Sequence, residues 1–117
     1  MKYLSVSELN QQIKFQIEES FFHCLVEGEI SNVIRAQSGH IYFNLKDANS
    51  MIRCVAWRTN AMSFNDFIEN GAKVEIQGKL SLYVPRGDYQ LVINRLAPLG
   101  RGNLYLAFEQ LREKLQK

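Results

Sequence analysis

Two cysteines, two histidines, two prolines and one tryptophan are all that 117 residues hold of those types. Cys24 and Cys54 show no CxxC spacing and no histidine cluster beside them, which argues against a metal knuckle or a redox motif. Both fall where a strand would turn them inward, so they read as reduced core thiols. His23 and His40 have no metal-ligand partner at a sensible spacing. Glu27 and Glu29 share the outward side of one strand, where paired carboxylates without a cleft are solvated. A phosphate-cradling glycine loop is missing, as is a serine beside a plausible base. The expectation is therefore no catalytic residue, no metal site and no cofactor. No apolar run approaches the roughly 18 residues of a membrane span. Met1-Lys2-Tyr3-Leu4 leads into an amphipathic segment and not into a signal peptide, so a soluble, cytoplasmic domain without a membrane partner is expected.

Charge is also scarce in excess: the net value is only +2. Its distribution says more. Arg35 to Arg101 holds nine basic against five acidic residues, whereas the flanks hold five against seven. A mildly basic middle is compatible with a phosphate-bearing partner.

What the chain does have is period. Residues 5–20 read as a helix, with Ser5 as N-cap, Glu8 completing a capping box and Leu4 against Leu9 as a hydrophobic staple. Val6, Leu9, Ile13 and Ile17 form its apolar face, with Asn10, Lys14 and Glu18 directed away. From His23 the period becomes two: Cys24, Val26, Gly28 and Ile30 alternate with Leu25, Glu27, Glu29 and Ser31, with a bend expected at Gly28. Ile41, Phe43 and Leu45 give a second strand, with His40, Tyr42, Asn44 and Lys46 outward. After the turn Asp47-Ala48-Asn49-Ser50, a third strand points Ile52, Cys54 and Ala56 inward and Arg53, Val55 and Trp57 outward. Met62, Phe64, Phe67 and Ile68 suggest a short helix or packed loop over residues 58–70. Val74, Ile76, Gly78, Leu80 and Leu82 face inward along a fourth strand, with Lys73, Gln77, Lys79 and Tyr83 outward. A Pro85-Arg86-Gly87-Asp88 turn precedes a fifth strand marked by Leu91 and Ile93. Leu104, Phe108, Leu111 and Leu115 make a closing helix.

Five strands with one helical or irregular link between the third and fourth give the order of a Greek-key OB-fold barrel. The predicted fold class is thus mainly β, with an amino-terminal and a carboxy-terminal helix. In such a barrel the face of the second and third strands, flanked by the first and last hairpin loops, holds oligonucleotides. Tyr42 and Trp57 there could stack on bases, and Arg53 could meet phosphate or stack through its guanidinium. Arg35 to His40 form the loop between the first two strands, flexible at Ser38-Gly39 and flanking the groove, where Arg35 could contact phosphate and His40 could stack on or hydrogen-bond a base. Tyr83, Arg86 and Gln90 offer stacking, charge and hydrogen bonding at the last hairpin. Tyr89 has inward parity and is read as core, and Asp88 as a turn residue that repels phosphate. Were a terminal helix to cover this face, the same aromatics would be packing only.

Several segments carry a resemblance when taken in order. They are Leu4-Ser5-Val6-Ser7-Glu8-Leu9-Asn10, Val26-Glu27-Gly28-Glu29-Ile30-Ser31-Asn32, Ser38-Gly39-His40, and Tyr42-Phe43-Asn44-Leu45-Lys46-Asp47. Arg53-Cys54-Val55, Leu82-Tyr83-Val84-Pro85-Arg86-Gly87-Asp88-Tyr89-Gln90-Leu91 and Ala107-Phe108-Glu109-Gln110-Leu111 follow. Each is weak alone, but together they resemble the amino-terminal region of the large subunit of bacterial exonuclease VII.

The resemblance implies an OB-fold over residues 1–102 and, over 103–117, a helix leading towards a catalytic domain absent from this chain. It also implies a complete enzyme that degrades single-stranded DNA to oligonucleotides without a divalent metal. This chain would be a non-catalytic part of it, with single-stranded DNA, the catalytic domain and the small subunits as partners. Alternatives are a protein-docking module within the assembly and an RNA- or tRNA-binding OB-fold.

Overall fold

The computed structural model describes residues 2–100. The expected closing helix with Leu104, Phe108, Leu111 and Leu115 lies outside the described residues.

Helix α1 (Val6–Ser20) begins where the capping box places it. The Glu8 N–H donates to Ser5 Oγ at 3.0 Å, and the Ser5 N–H donates to Glu8 Oε1 at 2.9 Å. These bonds satisfy two otherwise orphaned donors of the first turn and hold the Glu8 carboxyl below the usual carboxylate range.

Five strands follow: β1 (Cys24–Arg35), β2 (Ile41–Lys46), β3 (Met51–Ala56), β4 (Lys73–Tyr83) and β5 (Asp88–Pro98). They close into a barrel in the order β1-β2-β3-β5-β4. Neighbours are antiparallel except β3 and β5, which pair in parallel through Cys54↔Leu91 and Val55↔Val92. A parallel pair needs a crossover, supplied here by helix α2 (Arg58–Phe64), a 3-10 turn (Asn65–Phe67) and β4 itself. That short parallel pairing is what completes the closure between β3 and β5.

Strand β1 serves two partners. Cys24 to Glu29 pair with β4, and Glu29 to Arg35 pair with β2. Gly28 stands at the handover, where an added Cβ would come within 2.9 Å of both Leu45 Cγ and the Lys46 carbonyl oxygen. The register itself breaks later, between Ser31 and Ile34, around Asn32 with its φ of 55°. At the β2–β3 turn, Asp47 Oδ1 accepts the N–H groups of Asn49 and Ser50 at 2.8 and 2.9 Å.

The barrel is filled by Ile30, Ile41, Phe43, Leu45, Cys54, Ile76, Leu91 and Ile93, with Ala61, Phe64 and Ile68 of the crossover plugging one end. Met62 and Phe67, expected to pack, lie outside. Gln77, expected outward, is buried beside the bulge between Gln77 and Gly78. Val55 points to the outer face as expected, yet is buried there beside its partners Tyr42 and Val92.

Helix α1 corrects a larger expectation. Its apolar residues Val6, Leu9 and Ile13 remain 77%, 47% and 39% exposed. The half-buried positions are instead Asn10, Lys14, Ile17 and Glu18. The helix meets the polar outer side of β4, so hydrogen bonds and not hydrophobic packing set its rotation. The Asn10 amide donates to the Val84 carbonyl at 3.0 Å, and the Ser81 hydroxyl donates to Glu18 Oε2 at 2.8 Å.

Burial pushes the Cys54 thiol up to about 12 from an ordinary 9.0, so it stays protonated in the folded protein. Above the free-thiol value the unfolded chain binds fewer protons than the folded one, and stability falls with rising pH. Each pH unit in that window costs about 1.4 kcal/mol. Urea midpoints compared at pH ~8 and ~10 are expected to fall further for the wild type than for Cys54→Ala. Equal falls would assign the loss to other groups.

Candidate nucleic-acid interface

The outer face of β2 and β3 carries two clusters at opposite ends. At one end stand His40, Tyr42 and Trp57. The His40 and Trp57 rings meet edge-on with centroids 5.0 Å apart, and Tyr42 meets Trp57 edge-on at 6.5 Å. Trp57 occupies the N-cap position of α2 without capping it. The cap comes from another element: the Arg58 N–H donates to His40 Nδ1 at 2.9 Å. That bond fixes Nδ1 as the acceptor and leaves the other ring nitrogen to carry the proton of the neutral imidazole. Arg58 itself, not anticipated from sequence, lays its alkyl chain over Gly39, where a Cβ would come within 2.8 Å of Arg58 Cγ and Cδ. Its guanidinium therefore belongs to the same end of the face as Trp57. The pattern that could have revealed it is the run Trp57-Arg58, an aromatic and a cation at a strand end.

At the other end, the β4–β5 hairpin leans over β3. A groove of about 310 Å³ opens there, lined by Arg53, Arg86, Gly87, Asp88 and Tyr89. Arg53, opposite Asn44 on β2, stands roughly 13 Å along β3 from Trp57, at about 3.3 Å per residue. Among the described residues, Arg53, Arg86 and Asp88 form no ion pair, although they share one groove. Two cations thus face open solvent where phosphates could neutralise them. Gln90 is half-buried on the outer face of β5, across from Ser81. Tyr83, opposite Asp88 at the hairpin mouth, is exposed.

Tyr89 departs from its expected core position. Its parity is inward, but it lies past the end of the packed barrel and is 56% exposed. It also lines the neighbouring depression with Leu45 and Ile52 and so borders both.

Arg35, expected in the loop, is instead the last residue of β1. One guanidinium nitrogen, Nη2, donates to the carbonyls of Asn65 and Ile68 at 3.2 and 2.8 Å. The side chain thereby ties the crossover to the first strand, at the end of the barrel away from the β4–β5 hairpin.

The hairpin is itself held. Arg86 and Gly87 donate their N–H groups to the Tyr83 carbonyl at 3.2 and 2.8 Å. Asn10 of α1 grips Val84, and a Cβ at Gly87 would lie 3.3 Å from its amide. A larger cavity of about 400 Å³ lies elsewhere, beside Glu27, Gly28, Glu29, Asp47, Lys46 and Lys73. Its three carboxylates repel phosphate, and Lys46 is engaged by Glu29 at 3.7 Å. Among the described residues no group of metal-ligating side chains gathers.

The different attachments of the arginines predict different losses. Arg35→Ala should cost about 1–3 kcal/mol of stability by stranding two carbonyls, whereas Arg86→Ala should leave the urea midpoint within about 0.5 kcal/mol. Equal stability of the two variants would remove the structural assignment of Arg35.

Comparison with known proteins gives the family and the fold. Exodeoxyribonuclease 7 large subunits from Pseudomonas aeruginosa and Nautilia profundicola are each 48% identical, over 96% and 100% of this chain. That from Sulfurimonas denitrificans is 49% identical over 98%. The aligned part amounts to 24%, 26% and 28% of those proteins, so the chain spans about a quarter of their length. Among solved structures, a replication protein A heterotrimer bound to single-stranded DNA superposes with a TM-score of 0.55 at 16% identity, over 81% of this chain and 73% of that one. Asparaginyl-tRNA synthetase from Pyrococcus horikoshii with asparaginyl-adenylate gives 0.59 at 14%, over 76% and 21%. At such identities these two establish the fold alone. With residues 4–97 also matching the profile of the OB-fold nucleic acid binding domain, the chain belongs to that family and is homologous to the amino-terminal region of the exonuclease VII large subunit.

Proposed function

We propose that this domain binds single-stranded DNA across the outer face of β2 and β3 and presents it to a nuclease domain of the same subunit. The observation that carries the reading is the pair of unpaired arginines, Arg53 and Arg86, around an open groove on the face that also bears Tyr42 and Trp57. The relatives' name supports a DNA substrate. The barrel through residue 102 would hold the strand, and residues 103–117 would lead on towards the nuclease.

The mechanism is stacking with charge along the strand. Tyr42 and Trp57 offer ring faces at one end and Tyr89 at the other, while Arg53, Arg58 and Arg86 meet phosphates. Every base has a π-face, so this arrangement tolerates most sequences. Among the described residues, α1 packs chiefly on β4 and the hairpin. Isolated affinity is expected to be micromolar or weaker, because an intact enzyme gains by holding the strand at several points. A docking role is a second reading, favoured by the exposed Val6, Leu9 and Ile13 side of α1.

The test is fluorescence anisotropy of a labelled oligo-dT of about 15 nucleotides at several salt concentrations. Three neutralised phosphates at about 0.7 each predict a slope of log K on log salt near −2. Arg86→Ala should make the slope shallower by about 0.7, and Tyr42→Ala should cost about 1–3 kcal/mol of affinity. A matched RNA oligomer binding more tightly would redirect the reading to RNA. Folded protein that binds neither would redirect it to docking.

A further inference from the structure

The hairpin groove holds one group that phosphate binding does not explain. Asp88 lines it together with Arg53, Arg86 and Tyr89, and a carboxylate there opposes the approach of a phosphate. It is exposed, and among the described residues it takes no ion-pair partner although two guanidiniums share its groove. An ionised carboxylate can only accept hydrogen bonds, through two oxygens side by side. The question is which part of a DNA strand offers it two donors.

Backbone phosphates and deoxyribose offer none along the chain, so the partner must be a base edge. Thymine presents one N–H between two carbonyl oxygens, and those oxygens repel a carboxylate. Cytosine and adenine each present an amino group beside an acceptor nitrogen. Guanine alone presents two adjacent donors, N1–H and the N2 amino group, spaced to match the two carboxylate oxygens. Its remaining edge carries the O6 and N7 acceptors, which arginine recognises bidentately. A stacking ring completes the set, and Tyr89 supplies it. The groove's volume of about 310 Å³ lies at the lower end of small-ligand sites, about 300–1,000 Å³.

We infer that this groove selects guanine at one position of an otherwise sequence-tolerant strand. Asp88 accepts from N1–H and N2–H, Arg53 or Arg86 meets O6 and N7, and Tyr89 stacks on the ring. The inference rests on the single-strand reading above and adds a base preference to it.

The experiment compares oligo-dT with the same oligomer carrying a single central dG, and with one carrying a single deoxyinosine, which lacks the N2 amino group. The dG oligomer should bind at least about fivefold more tightly than oligo-dT, and the deoxyinosine oligomer should lose most of that gain. Asp88→Asn should abolish the dG advantage while leaving oligo-dT binding unchanged or tighter, since it removes a charge that repels phosphate. A general loss of folding would weaken all three oligomers together and is thereby distinguished. Equal binding of the three oligomers by wild type would overturn the guanine inference and leave single-strand binding standing. So would a dG advantage that survives in deoxyinosine or in Asp88→Asn. Failure of every oligomer to bind would overturn both.

Discussion

The short parallel pairing of β3 with β5 is the constraint on which the rest of the site depends. Two register pairs, Cys54↔Leu91 and Val55↔Val92, join a strand from the first half of the sheet to the last described strand. Without them the β4–β5 hairpin would be paired to the sheet through β1 alone, and Arg86 would have no fixed relation to Arg53. With them, residues more than thirty positions apart in sequence line one groove. The pairing is sheltered on both faces: Cys54 and Leu91 in the barrel core, Val55 and Val92 under the outer surface. Few hydrogen bonds thus hold the closure, but they are shielded from water, where their loss would strand polar groups at full cost.

The connections at either end of the face are secured by side chains that read on sequence as ligands or surface residues. Arg35 holds the carbonyls at the end of the crossover, His40 caps its start, and Asn10 grips the far hairpin. A binding surface made of loop and strand-end residues needs such ties, because ordering flexible loops during binding costs affinity. His40 combines a structural tie with a place in the aromatic cluster. One nitrogen is occupied by the backbone while the ring itself stands against Trp57.

Much of the fold was legible because it is written in local period. The capping box, the alternating strands, the turn at Asp47 and the short helical crossover each follow from residues close together in sequence. What was not legible depends on distant geometry. The apolar stripe Val6, Leu9 and Ile13 correctly signals a helix but cannot say which surface the helix meets; the outer side of β4 is polar, so Asn10 and Glu18 turn inward. Tyr89 has the parity of a core residue, yet parity carries no information about where along a strand the barrel ends. Arg35 looks like a loop cation because the carbonyls that engage it lie thirty residues on. For the candidate site, the outward placement of Tyr42, Arg53 and Trp57 could be read in advance. Their grouping into one aromatic end and one charged end could not, since it depends on closure.

Trp57 carries a spectroscopic consequence. It is the only tryptophan in the chain, stands at the surface of the outer face, and touches the rings of His40 and Tyr42. No indole lies in the barrel core. Long-wavelength ultraviolet emission from the folded domain therefore arises from one spot at the aromatic end of the face. Its intensity and colour are set by the polarity of that spot and by the rings beside it, with no second indole to dilute the signal.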